Sequence, residues 1–538
     1  MQRKIGHGTI VCSAEGYGET GTDGQFSWVK MEGTKSFETL SAHGAFEASR
    51  RGPSFGYFFN GDGQSEDPDA FAKLGRLGEA MVTDAGIIGP KGQPAILTYF
   101  GQFIDHDITL NTDSDPDNLP AFSIANEDGS LTRNSREAVL ETIKNGRIAS
   151  LRLDSLYGDD EAIEPFLRDG AKMKIGRTTS NRPNDLPRMA DLPAGNEFDD
   201  DPNAPIIGDA RNDENLIVAQ LHLAFLRFHN AIVDQLDPTL SDEERFQAAK
   251  RQTILTYQWL VLNDYCAALC DAGVLADALN APAAESYRGF SQGAQIMPLE
   301  FSVAAFRFGH SMIRPEYHFN RNFGPNGELG RAPLSELFRF TGSGGLAGAS
   351  RLSDLWVIDW NNFLPAGDEE RAARGIDSTI AEGLDQLVLQ KPELLPVPVR
   401  EALRHLPARN LRRSYVLAIP TAQQVLADLS DDAAFEPLTD EELLSFANGI
   451  IGDEGYLNET PLWLYILLEA ELRTGGKQLG KLGSFIVAQV LVGLLIEDPN
   501  SILHLGREDQ TPWHPGDEPI GGEAIDSLSK MLRFAGVL

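Results

Sequence analysis

The sequence predicts a mainly α protein, a large single domain with few short strands. Apolar residues recur at the three- and four-residue spacing of a buried helix face, capping signals precede several of these stretches, and alternating strand patterns are rare. The 538 residues are 42% hydrophobic and 23% charged, which is enough for one large hydrophobic core, and no internal repeat is visible.

Helix-start and helix-stop signals place the predicted helices. Ser241 and Thr439 are each followed three residues later by glutamate, the pattern of a capping box. Pro461 suits the first turn of a helix, and Gly475 suits the end of one. The predicted helices are residues 97–110, 214–236, 241 to about 270, 301–313, one beginning at Thr439, and one from Thr460 to Gly475.

The rest of the chain is less regular. Residues 1–60 have weak periodicity, which predicts an N-terminal extension packed on a main domain of residues 61–538. Segment 176–213 is long and rich in Asn, Asp, Pro and Arg, and a loop of this length in a compact domain is usually functional. The apolar run Phe485–Ile496 is shorter than the roughly 20 residues that span a bilayer, so we expect a buried core helix and no transmembrane segment.

Charge and cysteine content exclude several classes of protein. The formal net charge of −33 argues against nucleic acid and anionic membranes as partners. Cys12, Cys266 and Cys270 do not make a disulfide framework, and the last two are expected as small core residues. No apolar stretch follows the charged start Met1–Lys4, so no conventional signal peptide is visible, and both secretion and the cytoplasm remain open.

The predicted helix 97–110 carries the first group of polar residues. At about 100° per residue, Gln102, Asp105 and His106 share one side of the helix, while Asp107 points elsewhere. Burying such groups is costly unless each has a partner. A solvated turn or helix end is the plain alternative, and metal hydrolases also use His–Asp pairs.

A second group lies where the long loop enters the next helix. Arg211 and Glu214 are three residues apart, a spacing that equally suits a helix cap or a salt bridge. His222 and His229 follow in the same helix and could be taken for metal ligands. Packed, hydrogen-bonded histidines are the simpler expectation.

A third group surrounds His310. This histidine shares the apolar face of the predicted helix 301–313 with Phe306 and Ile313, so a hydrogen-bonded core histidine is the alternative to a ligand. Gly309 would let a flat group approach the backbone closely. Further along, residues 409–413 offer an amide among cations.

Five stretches together resemble the animal-type haem peroxidases of the peroxidase–cyclooxygenase superfamily, and more closely their bacterial members. They are residues 101–107, 208–215, 306–310, 409–413 and 460–499, in the family's order, within roughly residues 55 to 535. The resemblance implies the family's large single-domain helical fold and haem b as cofactor. It also implies a peroxidase that uses hydrogen peroxide to oxidise halides, pseudohalides or small organic donors through a ferryl intermediate.

The resemblance implies catalytic roles for three residues. His106 would be the distal histidine, which takes a proton from hydrogen peroxide and returns it to the leaving oxygen. Gln102 would order the distal water and any bound halide. Arg211 would stabilise the charge that develops as the O–O bond breaks.

On the other side of the haem, the resemblance makes His310 the axial ligand of the iron. Asn410 would accept a hydrogen bond from the other ring nitrogen of His310, which fixes the tautomer and tunes the iron. Arg307 and Arg413 would meet the haem propionates.

Two carboxylates match positions that form ester bonds to haem methyl carbons in relatives, namely Asp105 and Glu214. Asn215 stands where one relative uses a methionine for a sulfonium link, so no third bond to the haem is expected.

The resemblance also suggests a calcium site. Asp107 matches a calcium ligand whose partners would come from the loop 148–154, and Asp154 suits a hard cation. However, Arg152 stands where relatives carry a second aspartate, and a cation beside calcium is unfavourable. Alternatively, Arg152 pairs with Asp107 and replaces the metal.

Two other functions belong to the same scaffold. A fatty-acid dioxygenase or cyclooxygenase needs a tyrosyl radical three residues before the proximal histidine, and this position is Arg307, which cannot form one. A non-catalytic adhesion or matrix protein is the other alternative. The complete set of catalytic and axial residues argues against a protein that keeps the fold without catalytic activity.

Overall fold

The fold was taken from a computed structural model. It describes residues 55–83, 92–110, 123–158, 164–191, 202–280, 296–324, 327–364, 371–387, 396–430, 435–505 and 512–538, and the backbone of four strands within residues 2–28. The predicted packing of residues 1–60 as an extension, and the place of Cys12, lie largely outside the described residues.

Helices dominate the described chain, as predicted. Those of more than ten residues are α1 (Ala70–Met81), α2 (Ala95–Ile108), α3 (Leu216–Val233), α4 (Asp242–Leu260), α5 (Leu406–Val416), α6 (Leu462–Thr474) and α7 (Lys481–Glu497). Shorter α-helices are Arg136–Thr142, Asp154–Tyr157, Glu164–Leu167, Ala267–Leu269, Ala272–Asn280, Leu334–Arg339, Val397–Arg404, Ala422–Asp428, Asp440–Leu444, Ile450–Asp453 and Leu528–Phe534. Turns of 3-10 helix are Met189–Asp191, Ala210–Asp213, Ala305–His310, Gly345–Gly348, Asp354–Trp356, Trp360–Asn362 and Phe446–Gly449, and π-helical turns are Val261–Cys266 and Glu300–Ala304.

Strands are short and form only two-stranded pairs in the described chain. The antiparallel pairs are Gln2–Ile5 with Gly8–Val11, Gly18–Thr20 with Phe26–Trp28, Arg168–Asp169 with Lys172–Met173, and Glu316–Tyr317 with Ala332–Pro333. The parallel pairs are Phe55–Gly56 with Met297–Pro298, and Val82–Thr83 with Ile380–Ala381. The Glu300 carboxylate accepts hydrogen bonds from the backbone N–H groups of Phe58 and Phe59, which ties this first part of the described domain to the core.

Helix α2 lies at the centre of the hydrophobic core. The ring of Phe103 stacks on Phe225 of α3 with centroids 5.0 Å apart, and both residues are fully buried. Residues 485–496 belong to α7, which is mostly buried, so the prediction of a core helix is confirmed. Helix α3 is the described helix whose length and apolar composition would allow a membrane span, but 83% of it is buried within the protein.

Most helix predictions agree with the structure to within a few residues. Ser241 forms its predicted capping box at the start of α4, and Gly475 ends α6 with a positive φ of 64°. The predicted helix 301–313 is wrong in type, because Ala304 leaves helical geometry (φ −122°, ψ −75°) and a π turn gives way to the 3-10 segment Ala305–His310. Cys266 and Cys270 are buried and free, as expected.

Candidate active site

An internal hollow is marked by the few accessible side chains of otherwise buried elements. In α2 the partly exposed residues are Gln102 and Asp105 alone, and in α5 they are Arg409 and Arg413. The 3-10 segment Ala305–His310 and the entry to α3 contribute the others. The accessible set is Gln102, Asp105, Glu214, Arg307, Gly309, His310, Arg409 and Arg413.

The charges of the ionisable members act on one another, and we infer from this that the set lines one common hollow. Burial lowers the pKa of Arg307 to about 10, and the charges of Arg409 and Asp105 act on it in opposite directions. Burial raises the pKa of Glu214 to about 8, partly offset by Arg211 and by Arg409. The lining is therefore cationic with two carboxyl groups, Asp105 and Glu214, and the raised pKa keeps Glu214 largely protonated at neutral pH.

His106 is held on the buried border of this hollow. Its Nδ1 lies 2.8 Å from Oδ1 of Asn212, and the residue is only 5% exposed. Burial and the nearby Arg211 lower the pKa of His106 to about 4. The imidazole is therefore neutral at neutral pH, which is the form that can take up a proton.

Arg211 is fixed by a dense set of hydrogen bonds. Its Nε and Nη2 donate to the Asp209 carboxylate, the shortest at 2.7 Å, and Nη2 also donates to the backbone oxygens of His106 and Thr109. Burial tends to raise the pKa of Asp209, but Arg211 and Arg147 outweigh this and hold it well below its usual range. The third nitrogen of the guanidinium, Nη1, has no hydrogen-bond partner among the described residues. Arg211 therefore pairs with Asp209, and the alternative salt bridge between Arg211 and Glu214 is wrong.

The hydrogen bond expected between Asn410 and His310 is present with the opposite amide orientation. Oδ1 of Asn410 accepts from Nη1 of Arg307 at 2.7 Å, so Nδ2 of the same amide faces Nδ1 of His310 at 2.8 Å. The guanidinium can only donate, and it therefore takes the acceptor end of the amide. Burial and the charge of Arg307 lower the pKa of His310 to about 3, so this imidazole is neutral as well.

The calcium site predicted at Asp107 and Asp154 is not supported by the donor set. The Asp107 carboxylate is fully buried and accepts from the backbone N–H groups of Leu153 and Ser155, at 3.1 and 3.2 Å. Each oxygen of this carboxylate thus already accepts from a positive N–H dipole, which disfavours a cation bound beside it. The described residues also contain no cluster of three or more His, Cys, Asp or Glu suited to a metal ion.

Arg152 does not replace the metal by pairing with Asp107. It forms a two-point ion pair with Asp498, at 3.0 and 3.1 Å, so the alternative Arg152–Asp107 pair is wrong. Burial raises the pKa of Asp107 to about 6 against the opposing effect of the two backbone N–H groups.

Several residues that shape the site were not singled out from the sequence. Arg409 lies one turn before Arg413 on the accessible face of α5, and Asn212 bonds to His106. Arg188 pairs with Asp213 at 2.6 Å and with Asp185 at 2.8 Å, all buried, and holds the loop that carries Arg211. The signals in the sequence were the mixture of Asp and Arg in segment 176–213 and the cations of residues 409–413.

The lining suits an iron porphyrin with two carboxylate side chains. Apart from its neighbours in the chain and its own helical turn, no atom of the described residues lies within 4 Å of the position that a Cβ on Gly309 would occupy, so there is open space beside this turn. A neutral imidazole is the metal-binding form of histidine. Arg307, Arg409 and Arg413 would match the negative charge of the two carboxylates.

Comparisons with known proteins agree with this arrangement. A family described as animal haem peroxidase matches residues 79–344. The chain is 28% identical to mouse myeloperoxidase (Mus musculus) over 137 residues, 25% of this chain and 18% of that protein. It is 27% identical over 265 residues to a peroxidase-like protein of Margaritifera margaritifera (43% and 32%), and 32% identical over 182 residues to peroxinectin A of Dictyostelium discoideum (30% and 30%). The matched region is thus a third or less of each of these relatives.

Solved structures show the same fold at low sequence identity. Peroxidase A from Dictyostelium discoideum aligns with a TM-score of 0.54 and 19% identity, over 84% of this chain and 86% of that one. A fatty acid alpha-dioxygenase from Arabidopsis thaliana aligns with a TM-score of 0.55 and 14% identity, over 93% and 84%. The fold is therefore shared by peroxidases and dioxygenases, and the site residues have to distinguish the two.

Proposed function

We propose that this chain, which belongs to the peroxidase–cyclooxygenase superfamily, is a haem peroxidase that uses hydrogen peroxide to oxidise halides, pseudohalides or small organic donors. The observation that carries the proposal is the pair of neutral imidazoles, buried His106 and partly accessible His310, on elements that line one cationic hollow. One imidazole serves as an acid–base group and the other as an iron ligand.

Haem supplies the oxidising chemistry when it is bound, and the family to which the chain belongs implies haem as the cofactor. His310 would hold the iron, and Arg307 and Arg413 would meet the propionates. Asp105 and Glu214 are proposed to form ester links to the haem edge, since both are accessible in the hollow.

The protein's own residues would handle the proton and the charge of the peroxide. His106 takes a proton from one oxygen and returns it to the other. Arg211 offers a fixed positive charge that need not reorganise, because Asp209 and two backbone oxygens already orient it. Gln102, accessible in the same hollow, would order water or a halide. The cationic lining favours small anionic donors.

Arg307 argues against a dioxygenase. It occupies the position three residues before His310 at which a tyrosyl radical would be needed, and it is committed to Asn410 and to the backbone oxygen of Ser302. A dioxygenase predicts uptake of oxygen with polyunsaturated fatty acids. A peroxidase predicts none.

The test is a visible spectrum and a hydrogen peroxide and dye assay on the haem-loaded chain, beside the variants H310A and H106A. We expect a haem absorption band with turnover, an altered or lost band in H310A, and a retained band with turnover reduced about 10²- to 10⁴-fold in H106A. A wild-type protein that binds no haem, or variants that behave like wild type, would contradict the assignment. Haem binding without turnover would favour the non-catalytic scaffold.

A further inference from the structure

His106, Asn212 and His222 form a buried hydrogen-bonded line. Nδ1 of His106 lies 2.8 Å from Oδ1 of Asn212, and Nδ2 of the same amide lies 3.0 Å from Nδ1 of His222. His106 is 5% exposed, and the other two residues are fully buried. The line joins three elements, since His106 lies in α2, Asn212 in the 3-10 turn Ala210–Asp213, and His222 in α3.

The amide assigns the protons along this line. An amide oxygen only accepts and an amide nitrogen only donates. Nδ1 of His106 therefore carries a hydrogen and donates it to Oδ1 of Asn212, and Nδ1 of His222 accepts a hydrogen bond from Nδ2 of Asn212. Both rings are neutral at neutral pH, because burial lowers their pKa values to about 4 and about 3. A neutral imidazole has one N–H, and the lone pair of His106 is therefore on Nε2.

We propose that Asn212, oriented by His222, is a positioning residue that holds His106 in the tautomer with an unprotonated Nε2. The importance of this tautomer rests on the proposed function, because only a lone pair facing the peroxide can take its proton. The tautomer itself is a property of the chain that can be measured without peroxide.

The competing arrangement has the amide reversed. Nδ2 of Asn212 would then donate to His106, whose proton would lie on Nε2, and the ring could not act as a base from that nitrogen. In both arrangements Nε2 of His222 has no partner among the described residues, so the number of hydrogen bonds does not separate them. A carboxylate at position 212 would separate the two arrangements. Its oxygens only accept, so His106 would have to donate from Nδ1.

The experiment is ¹⁵N NMR of the histidine rings in the full-length chain loaded with diamagnetic zinc protoporphyrin IX, with H106Q identifying the His106 signals. In wild type and N212D we expect hydrogen on Nδ1 and a lone pair on Nε2 of His106. In N212L the Nε2-protonated form should appear. H222F should give a mixture, because the amide is then free to reverse.

Stopped-flow reaction of the haem-loaded proteins with hydrogen peroxide gives the second measurement. N212L should lose about 10- to 100-fold in the second-order rate constant, the range typical of residues that orient a functional histidine. N212D should stay much closer to wild type. H229F is the matched control, because His229 is equally buried in α3 but bonds to Tyr157 and the Ala171 backbone oxygen.

The outcomes separate the two proposals. If wild-type His106 carries its proton on Nε2 while the enzyme still reacts with peroxide, the positioning role is wrong and the peroxidase stands. If the tautomer is as proposed and shifts in N212L but no form reacts with peroxide, the positioning role stands and the peroxidase is wrong. If N212L does not fold, the His106 tautomer in H222F is compared with that in the control H229F. An unchanged tautomer in H222F overturns the proposal.

Discussion

Arg307 donates a hydrogen bond from Nη1 to Oδ1 of Asn410 over 2.7 Å. This bond decides which end of the amide meets His310, because a guanidinium cannot accept. In this orientation Nδ1 of His310 accepts from Nδ2 of the amide, and a His310 ring with hydrogen on Nδ1 would have to compete with Arg307 for the amide oxygen. Asn410 links the residue expected at the haem propionates to the residue expected on the iron.

Replacing Asn410 by aspartate should end this competition. In N410D both Arg307 and the Nδ1–H of His310 can donate to a carboxylate, so His310 becomes a stronger electron donor. We expect the reduction potential of bound haem to fall below that of wild type in a spectroelectrochemical titration. In N410L haem affinity should weaken by about 10- to 100-fold. An equal or higher potential in N410D would show that the amide does not control the ligand.

Asp209 should be among the costliest carboxylates to remove. It forms ion pairs with both Arg147 and Arg211, and all three side chains are at most 6% exposed. D209N would remove the carboxylate that forms ion pairs with both buried arginines, and we expect the free energy of unfolding to fall by about 3–5 kcal/mol in urea titrations. The exposed pair Arg251–Glu518 is the control, and E518Q should cost less than about 1 kcal/mol. A loss in D209N no larger than in E518Q would contradict the role of Asp209.

Calcium should have no effect on the wild-type protein. The Asp107 oxygens are bonded by backbone N–H groups, and Arg152 is held by Asp498. We expect the melting temperature and the peroxidase rate to be the same with EDTA and with added calcium. The variant R152D places a carboxylate at the position where the family resemblance implies one, and it should gain stability with calcium. A wild-type melting temperature that drops in EDTA would show that the cation is bound after all.

Acid should destabilise the fold through its buried histidines. His229 is fully buried, and burial lowers its pKa to about 4, against about 6.5 in the unfolded chain. As the pH falls from 6.5 to 4, the unfolded state takes up the proton first, so stability decreases over this window and is regained as the pH rises.

His229 should account for about 3 kcal/mol of this loss in the free energy of unfolding, because each unit of pKa difference corresponds to about 1.4 kcal/mol. The variant H229F should remove that share, and urea titrations at pH 6.5 and pH 4 measure it. A wild-type-like difference between the two pH values in H229F would contradict the burial argument.

The sequence was sufficient to predict structure wherever the periodic spacing of nearby residues determines it. Helical spacing alone placed Gln102, Asp105 and His106 on one side of α2 and Asp107 on another. The structure shows Gln102 and Asp105 as the accessible residues of that helix, while His106 is buried and Asp107 fully buried. The capping box at Ser241 is likewise local, since it needs only residues three apart.

Prediction from local sequence patterns failed where tertiary packing changed the backbone despite helical spacing of the apolar residues. The predicted helix 301–313 carries helical spacing, yet its backbone changes from π to 3-10 geometry at Ala304. The residues that pack against this segment in the core determine its backbone geometry, and the spacing of apolar residues in the sequence does not show which residues those are.

By itself, then, the sequence determined the mainly helical class and which side chains share a helix face, because both follow from the fixed geometry of a helix turn. Only the tertiary structure decided the partners. Arg152 meets Asp498 rather than Asp107, and the Asn410 amide turns its oxygen to Arg307. The physical reason is that a hydrogen bond or ion pair depends on which groups come within about 3 Å, and residues hundreds of positions apart in the chain supply those groups.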